Sequence, residues 1–210
     1  MANILLGVTG SVAAVKTPFL FETLKRAGHA VRIVATRASL YFFDAAEIGR
    51  DALVLDEDEW PGRDSGQRWQ RDDEVLHIQL RRWADGLVIA PLDANTLAKL
   101  ANGLADNCLT CVWRAWETSR PVVLAPAMNT LMWQHPATAR HLRQVAADMG
   151  LSPPDLLAQD ELVEWINVHG SRLRIAEPES RRLACGDIGI GAMAAVETIV
   201  EMVQTGLLAS

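Results

Sequence analysis

The chain is short of several things, and each shortage excludes a class of protein. Three cysteines in 210 residues, an odd number, do not read as a disulfide framework and fit a reducing compartment. No apolar run reaches the roughly 18 to 20 residues of a membrane span. The first residues, Met1-Ala2-Asn3-Ile4, begin a strand rather than a signal peptide, so a cytoplasmic protein with no membrane partner is expected. Basic charge is in deficit, with 20 Lys and Arg against 26 Asp and Glu. Binding a phosphate backbone needs a concentrated basic face, so nucleic acid is not an expected partner. Cys108 and Cys111 make a C-x2-C, but no second Cys/His pair stands at metal-ligand spacing. Both read as core thiols, and no metal is expected.

What is plentiful is apolar material. At 50% hydrophobic residues and a mean hydropathy of +0.08, the chain can bury one sizeable core and little more, so residues 1–210 read as one domain. Two runs share one grammar: Gly86-Leu87-Val88-Ile89-Ala90 and Pro121-Val122-Val123-Leu124-Ala125 are short and rich in β-branched residues, and each is stopped by a proline. Doubly buried strands look like this. Each run then delivers an Asn and a Thr to the first turn of a helix, Asn95-Thr96 and Asn129-Thr130. In an open parallel sheet the carboxyl ends of neighbouring strands form the ligand crevice, so both pairs are expected at one site.

Earlier in the chain, the apolar run Asn3 to Val8 ends in Thr9-Gly10-Ser11 and passes into a helical pattern closed by Gly28. Strand, glycine, hydroxyl and helix can cradle an anion on backbone N–H groups, although the segment matches neither the dinucleotide fingerprint nor the Walker pattern. A second strand, Ala30 to Ala35, leads to Thr36-Arg37-Ala38-Ser39, another hydroxyl-rich end. From Asp44 to Asp73 the chain is acidic and irregular, with Asp56-Glu57-Asp58-Glu59 at its centre, and reads as a solvated loop without chemistry. His77 follows on a helix with Leu80, Trp83 and Ala84 on one face, just before the first of the two buried strands.

Later, a helix is expected over Asn95 to Ala105, another capped by Asp106-Asn107 and running through Trp116, and a third over His135 to Met149. Met128 and Met132 read as packing, and His135, His141 and His169 as surface residues. After Gly150 the pattern fades. Residues 175–192, with three glycines between Gly186 and Gly191, read as a mobile flap carrying Cys185, and a last helix spans Ala194 to Val203. A thiol kept in such a flap is better explained as a reactant than as packing.

Four motifs in this order, His77 in Leu-His-Ile-x-Leu, Pro91 to Thr96, Pro126 to Trp133, and Ala184-Cys185-Gly186-Asp187, resemble those of the flavin-containing cysteine decarboxylases over nearly the whole chain. The resemblance implies a flavodoxin-like three-layer α/β fold, a doubly wound parallel sheet. It also implies a homotrimer, or a multiple of three, with FMN bound between subunits. By matching positions, Gly10, Ser11, Ser39, Asp93, Ala94, Asn95, Thr96 and Ala127 would contact FMN. His77 would be the base, Asn129 would hold the substrate carboxylate, and Cys185 would donate a proton. Lys16 and Arg82 match basic positions assigned to a substrate phosphate. The implied reaction is decarboxylation of 4'-phosphopantothenoylcysteine in coenzyme A biosynthesis. Asp93 stands where many relatives carry Ser, and the acidic loop is longer than usual.

Two other functions come with the same resemblance. Decarboxylases of peptidyl cysteine stop at an enethiol and would not need Cys185, whose presence disfavours that reading. Regulatory relatives carry long acidic tails, whereas this sequence ends at Ser210 without one.

Overall fold

The computed structural model describes residues 1–182 and 188–208. Six parallel strands form the main sheet: β1 (Asn3–Val8), β2 (Ala30–Ala35), β3 (Leu53–Leu55), β4 (Gly86–Leu92), β5 (Val122–Pro126) and β6 (Leu173–Ile175). Their order is β3-β2-β1-β4-β5-β6, so the winding direction reverses between β1 and β4. Doubly wound sheets open their ligand crevice at that point, beyond the carboxyl ends of the strands. The architecture is the three-layer α/β sandwich that the resemblance to the flavin-containing cysteine decarboxylases implied.

Period-two alternation distributes the strand side chains between two cores. Leu5, Leu87 and Ile89 face one side, while Ile4, Leu6, Val8, Val88 and Ala90 face the other. The first side is covered by α2 (Leu76–Trp83), α3 (Ala94–Ala101), α4 (Cys108–Arg114), α6 (Pro136–Asp148) and α7 (Gln159–His169), through residues such as Leu80, Leu100, Leu109, Leu142 and Ile166. The second is covered by α1 (Thr17–Arg26) and α8 (Val196–Leu208), through Leu20, Leu24, Ile199 and Val203. A short helix α5 (Thr130–Trp133) follows β5.

Several expectations need correction. The region after Gly150 is not patternless, since α7 and the edge strand β6 lie there. The acidic stretch contains β3 and a 3-10 turn at Asp56–Glu59. The described parts of 175–192 contain two further strands. β7 (Glu179–Arg182) pairs antiparallel with β8 (Ile188–Ala192), making a hairpin outside the main sheet. Its glycines also serve close packing. Gly191 has φ of +138°, a Cβ there would lie 2.2 Å from the Met128 carbonyl oxygen, and the Met128 N–H donates to its carbonyl at 2.9 Å. β8 is thereby docked on the segment that ends in Asn129. Met132, expected in the core, is 49% exposed, whereas Met128 is buried.

Candidate active site at the carboxyl edge of the sheet

One hydroxyl ties the two central strand ends together. Thr9, fully buried, donates through Oγ1 to the Pro91 carbonyl at 2.8 Å and accepts the Asp93 N–H at 2.7 Å. Asp93 in turn caps α3, its Oδ1 accepting the Thr96 N–H at 2.7 Å. Asn95 and Thr96 therefore sit in the first turn of α3, with Asn95 exposed to the crevice edge and Thr96 buried. The same capping logic recurs after β5, where Asn129 Oδ1 accepts the Leu131 N–H at 2.9 Å. The Ala127 N–H donates to Leu92 O at 2.9 Å, locking the end of β5 to the end of β4.

Gly10 lies where the ends of β1, β2 and β4 meet. A Cβ at this position would come within 2.7 Å of the Ala38 Cβ and 3.3 Å of Asp93 Oδ2, so only glycine leaves the backbone approachable. Ser11 caps the following 3-10 turn, its Oγ accepting the Ala13 N–H at 3.4 Å. Ser39 is wholly buried and donates to Thr36 O at 2.7 Å, so its hydroxyl hydrogen is used locally. Two neighbouring hydroxyls are not satisfied among the described residues: Thr17 Oγ1 and Thr36 Oγ1 are buried there without a partner. A buried unpaired polar atom costs about 1–3 kcal/mol, so these oxygens fit a ligand that brings hydrogen-bonding groups of its own. The donor set, several hydroxyls and backbone N–H groups around one glycine at a helix start, suits a flavin mononucleotide with its phosphate. Sequence reading named Thr9 and Thr36 only as parts of the hydroxyl-rich ends of β1 and β2, and it passed over Thr17.

His77 reaches the same edge by two routes. It is in the first turn of α2, an eight-residue helix about 12 Å long whose other end meets the opposite edge, where the Trp83 carbonyl accepts from Asn3 Nδ2 at 2.9 Å. It also contacts the 3-10 turn that directly follows β3. There, His77 Nδ1 lies 2.5 Å from Glu59 Oε1, and the His77 N–H donates to Glu59 Oε2 at 3.1 Å. The expectation of a solvated acidic loop without chemistry is therefore overturned. Asp56 accepts the Arg37 N–H at 2.9 Å, and Asp58 pairs with Arg50 and accepts the Leu55 N–H. Burial pushes the Asp58 carboxyl up, but the Arg50 guanidinium and the Leu55 N–H outweigh it and hold the group below its usual range. Asp56, with burial dominant, is pushed up.

The two cysteines of α4 also divide. Cys108 is a buried core thiol as expected. Cys111 is half-buried, and its sulfur falls within 4.8 Å of the Glu59 and His77 ligand atoms. Burial pushes both thiols up, helped by the charge of Glu59, so both are weaker acids than a free cysteine. Lys16 ends the 3-10 turn after β1, on the crevice side. Arg82 does not join this cluster, because it sits exposed beside Trp83 at the far end of α2. Cys185 lies outside the described residues.

Comparison with known proteins places this geometry. The flavoprotein family model matches residues 1–208. The chain is 45% identical to a phosphopantothenoylcysteine decarboxylase of Oryza sativa subsp. japonica, covering 96% of this chain and 79% of that protein. Among solved structures it resembles a cysteine-to-serine mutant of PPC decarboxylase complexed with pantothenoylaminoethenethiol, with TM-score 0.78, 41% identity, and 97% of each chain covered. It also resembles the FMN-binding protein AtHal3, with TM-score 0.76, 41% identity, and 100% and 98% of the two chains covered.

Proposed function

The chain belongs to the flavoprotein family, and from that membership we propose that it is an FMN-dependent carboxy-lyase converting 4'-phosphopantothenoylcysteine to 4'-phosphopantetheine in coenzyme A biosynthesis. The observation that carries the reading is the convergence of Gly10, Ser11, Asp93 to Thr96 and Asn129 on one crevice edge, with His77 at the same edge. Loss of CO2 from a cysteine amide would leave a carbanion with nothing to delocalise it, which is why a cofactor is needed. Bound FMN supplies reversible two-electron oxidation and reduction. The chain's own residues do the rest. His77 takes the thiol proton as the cysteine becomes a thioaldehyde, whose C=S group can accept the electrons released with CO2. Asn129 holds the carboxylate that departs, and Lys16 holds the phosphate. Cys185 would then protonate the enethiol carbon, and with the hydride returned by the reduced cofactor the product would show no net redox change.

Trimers, or multiples of three, complete the reading. Large apolar side chains stand exposed at the crevice edge, with Val15 at 57% and Tyr41 at 87%, as at a subunit interface. Arg82, remote from the crevice of its own chain, would serve that of a neighbour. Light scattering that reports a monomer contradicts this arrangement. The reaction itself is tested with Cys185→Ser mixed anaerobically with substrate. The variant releases CO2 once, accumulates the enethiol and leaves its flavin reduced, because a hydroxyl is a much weaker acid than a thiol of reference pKa about 8.5. Ordinary 4'-phosphopantetheine formed at the wild-type rate would remove Cys185 from the mechanism.

A further inference from the structure

Glu59 belongs to a run of four acidic residues, yet its side chain is 4% exposed, and both of its oxygens meet His77, with the Cys108 thiol also hydrogen-bonded to the carboxylate. Oε2 accepts the backbone N–H of His77, an otherwise unpaired donor in the first turn of α2, and Oε1 lies 2.5 Å from the ring nitrogen Nδ1. Holding backbone and ring together fixes the orientation of the imidazole. The turn that carries Glu59 is braced in its turn, by Asp56 on the Arg37 N–H and by Asp58 on Arg50 and the Leu55 N–H.

We propose that Glu59 is the positioning residue of His77. It holds the ring as the Nδ1–H tautomer, leaves the Nε2 lone pair to take the substrate thiol proton, and steadies the imidazolium that then forms. The inference rests on the reading of His77 as the base. A carboxylate oxygen at this distance only accepts, so the shared hydrogen belongs to Nδ1 and the basic lone pair to Nε2. The proton that arrives at Nε2 leaves again from Nε2, and Glu59 gains and loses none.

Cys111 does not disturb this arrangement. Burial first, and the Glu59 charge second, keep its thiol protonated, so no second anion competes for the ring. Nor do the three side chains form a metal site as they stand. Tetrahedral ligands at about 2.0–2.1 Å from a zinc ion sit about 3.3 Å apart, whereas Nδ1 and Oε1 are 2.5 Å apart, in direct hydrogen-bond contact. In sequence the pair is 18 residues apart, and Glu59 is hidden among carboxylates of the same appearance.

The test uses FMN-loaded protein and three variants: Glu59→Gln, His77→Asn and the double replacement. Glu59→Gln is expected to lower kcat about 100-fold, with KM and bound FMN unchanged within about twofold, as suits loss of general-base efficiency. In the His77→Asn background the same change is expected to have no further effect. A readout independent of turnover is the 15N spectrum of histidine-labelled protein. His77, identified by the signal missing from His77→Asn, should show a protonated Nδ1 and an unprotonated Nε2. Wild-type turnover in Glu59→Gln beside a dead His77→Asn overturns the positioning role and leaves the base intact. Wild-type turnover in His77→Asn overturns the base reading itself. Multiplying effects in the double variant mark Glu59 as merely structural. A protonated Nε2 in the wild type overturns the proposal even if Glu59→Gln does not fold.

Discussion

Replacing Gly10 by Ala is the most local perturbation of the cofactor cradle. The added methyl would stand 2.7 Å from the Ala38 Cβ and 3.3 Å from Asp93 Oδ2. Carbon atoms pack at about 3.5–4.0 Å, so something must move by about 0.8 Å or more. Neither neighbour can yield cheaply. Ala38 has no flexible side chain, and Asp93 is fixed by the Thr96 N–H and by Thr9. Forced overpacking of this kind costs about 1–3 kcal/mol. If the strain is relieved by separating the ends of β1, β2 and β4, the same amount is lost from FMN binding, an increase in Kd of about 5- to 150-fold. The assay is titration of apoprotein with FMN, followed by quenching of flavin fluorescence, with the apoprotein melting temperature as control. A lowered melting temperature with an unchanged Kd would show that the strain is real but that Gly10 is not at the flavin. An unchanged value of both would refute the packing argument as well.

Thr36→Val separates ligand binding from folding by sign. The buried Thr36 oxygen has no partner among the described residues, so its removal should raise apoprotein stability by about 1 kcal/mol, about 2–4 °C in Tm, while weakening FMN binding about tenfold. A drop in apoprotein Tm would mean that the hydroxyl serves the fold and not the cofactor.

The strands and helices most easily read were those whose patterns are local. β1 and β2 are continuous apolar runs ended by polar residues, and both occupy the expected residues, Asn3–Val8 and Ala30–Ala35. α6 shows a clean helical period over Pro136–Asp148 and a cap at His135. Short edge strands carry too few residues for a pattern, and so β3 and β6, three residues each, escaped notice. α7 was lost for a different reason, since its apolar face of Leu162, Val163 and Ile166 follows a stretch of prolines and polar residues. The glycines of β8 looked like flexibility, whereas Gly191 answers a packing constraint from Met128 that only the folded chain imposes.

In the site, the hydroxyls, Asp93 and the helix-capping asparagines were legible because strand-end chemistry is written in adjacent residues. The pairing of Glu59 with His77 was not. A carboxylate placed on a half-buried imidazole and one placed in water leave the same letter in the sequence, and only a contact between residues 18 apart tells them apart. Nor does sequence distance show which crevice Arg82 could serve. The arginine stands five positions from His77 in the sequence, yet a helix of this length carries it toward the far edge of the sheet.

The central claim is the choice of substrate. FMN-loaded protein is to be supplied, in parallel, with 4'-phosphopantothenoylcysteine and with a peptide ending in cysteine, and CO2 release and product mass followed in each. The account predicts CO2 release and 4'-phosphopantetheine from the first, with little or no turnover of the second. Preferential decarboxylation of the peptide, or an enethiol as the final product of the wild-type protein, would contradict it.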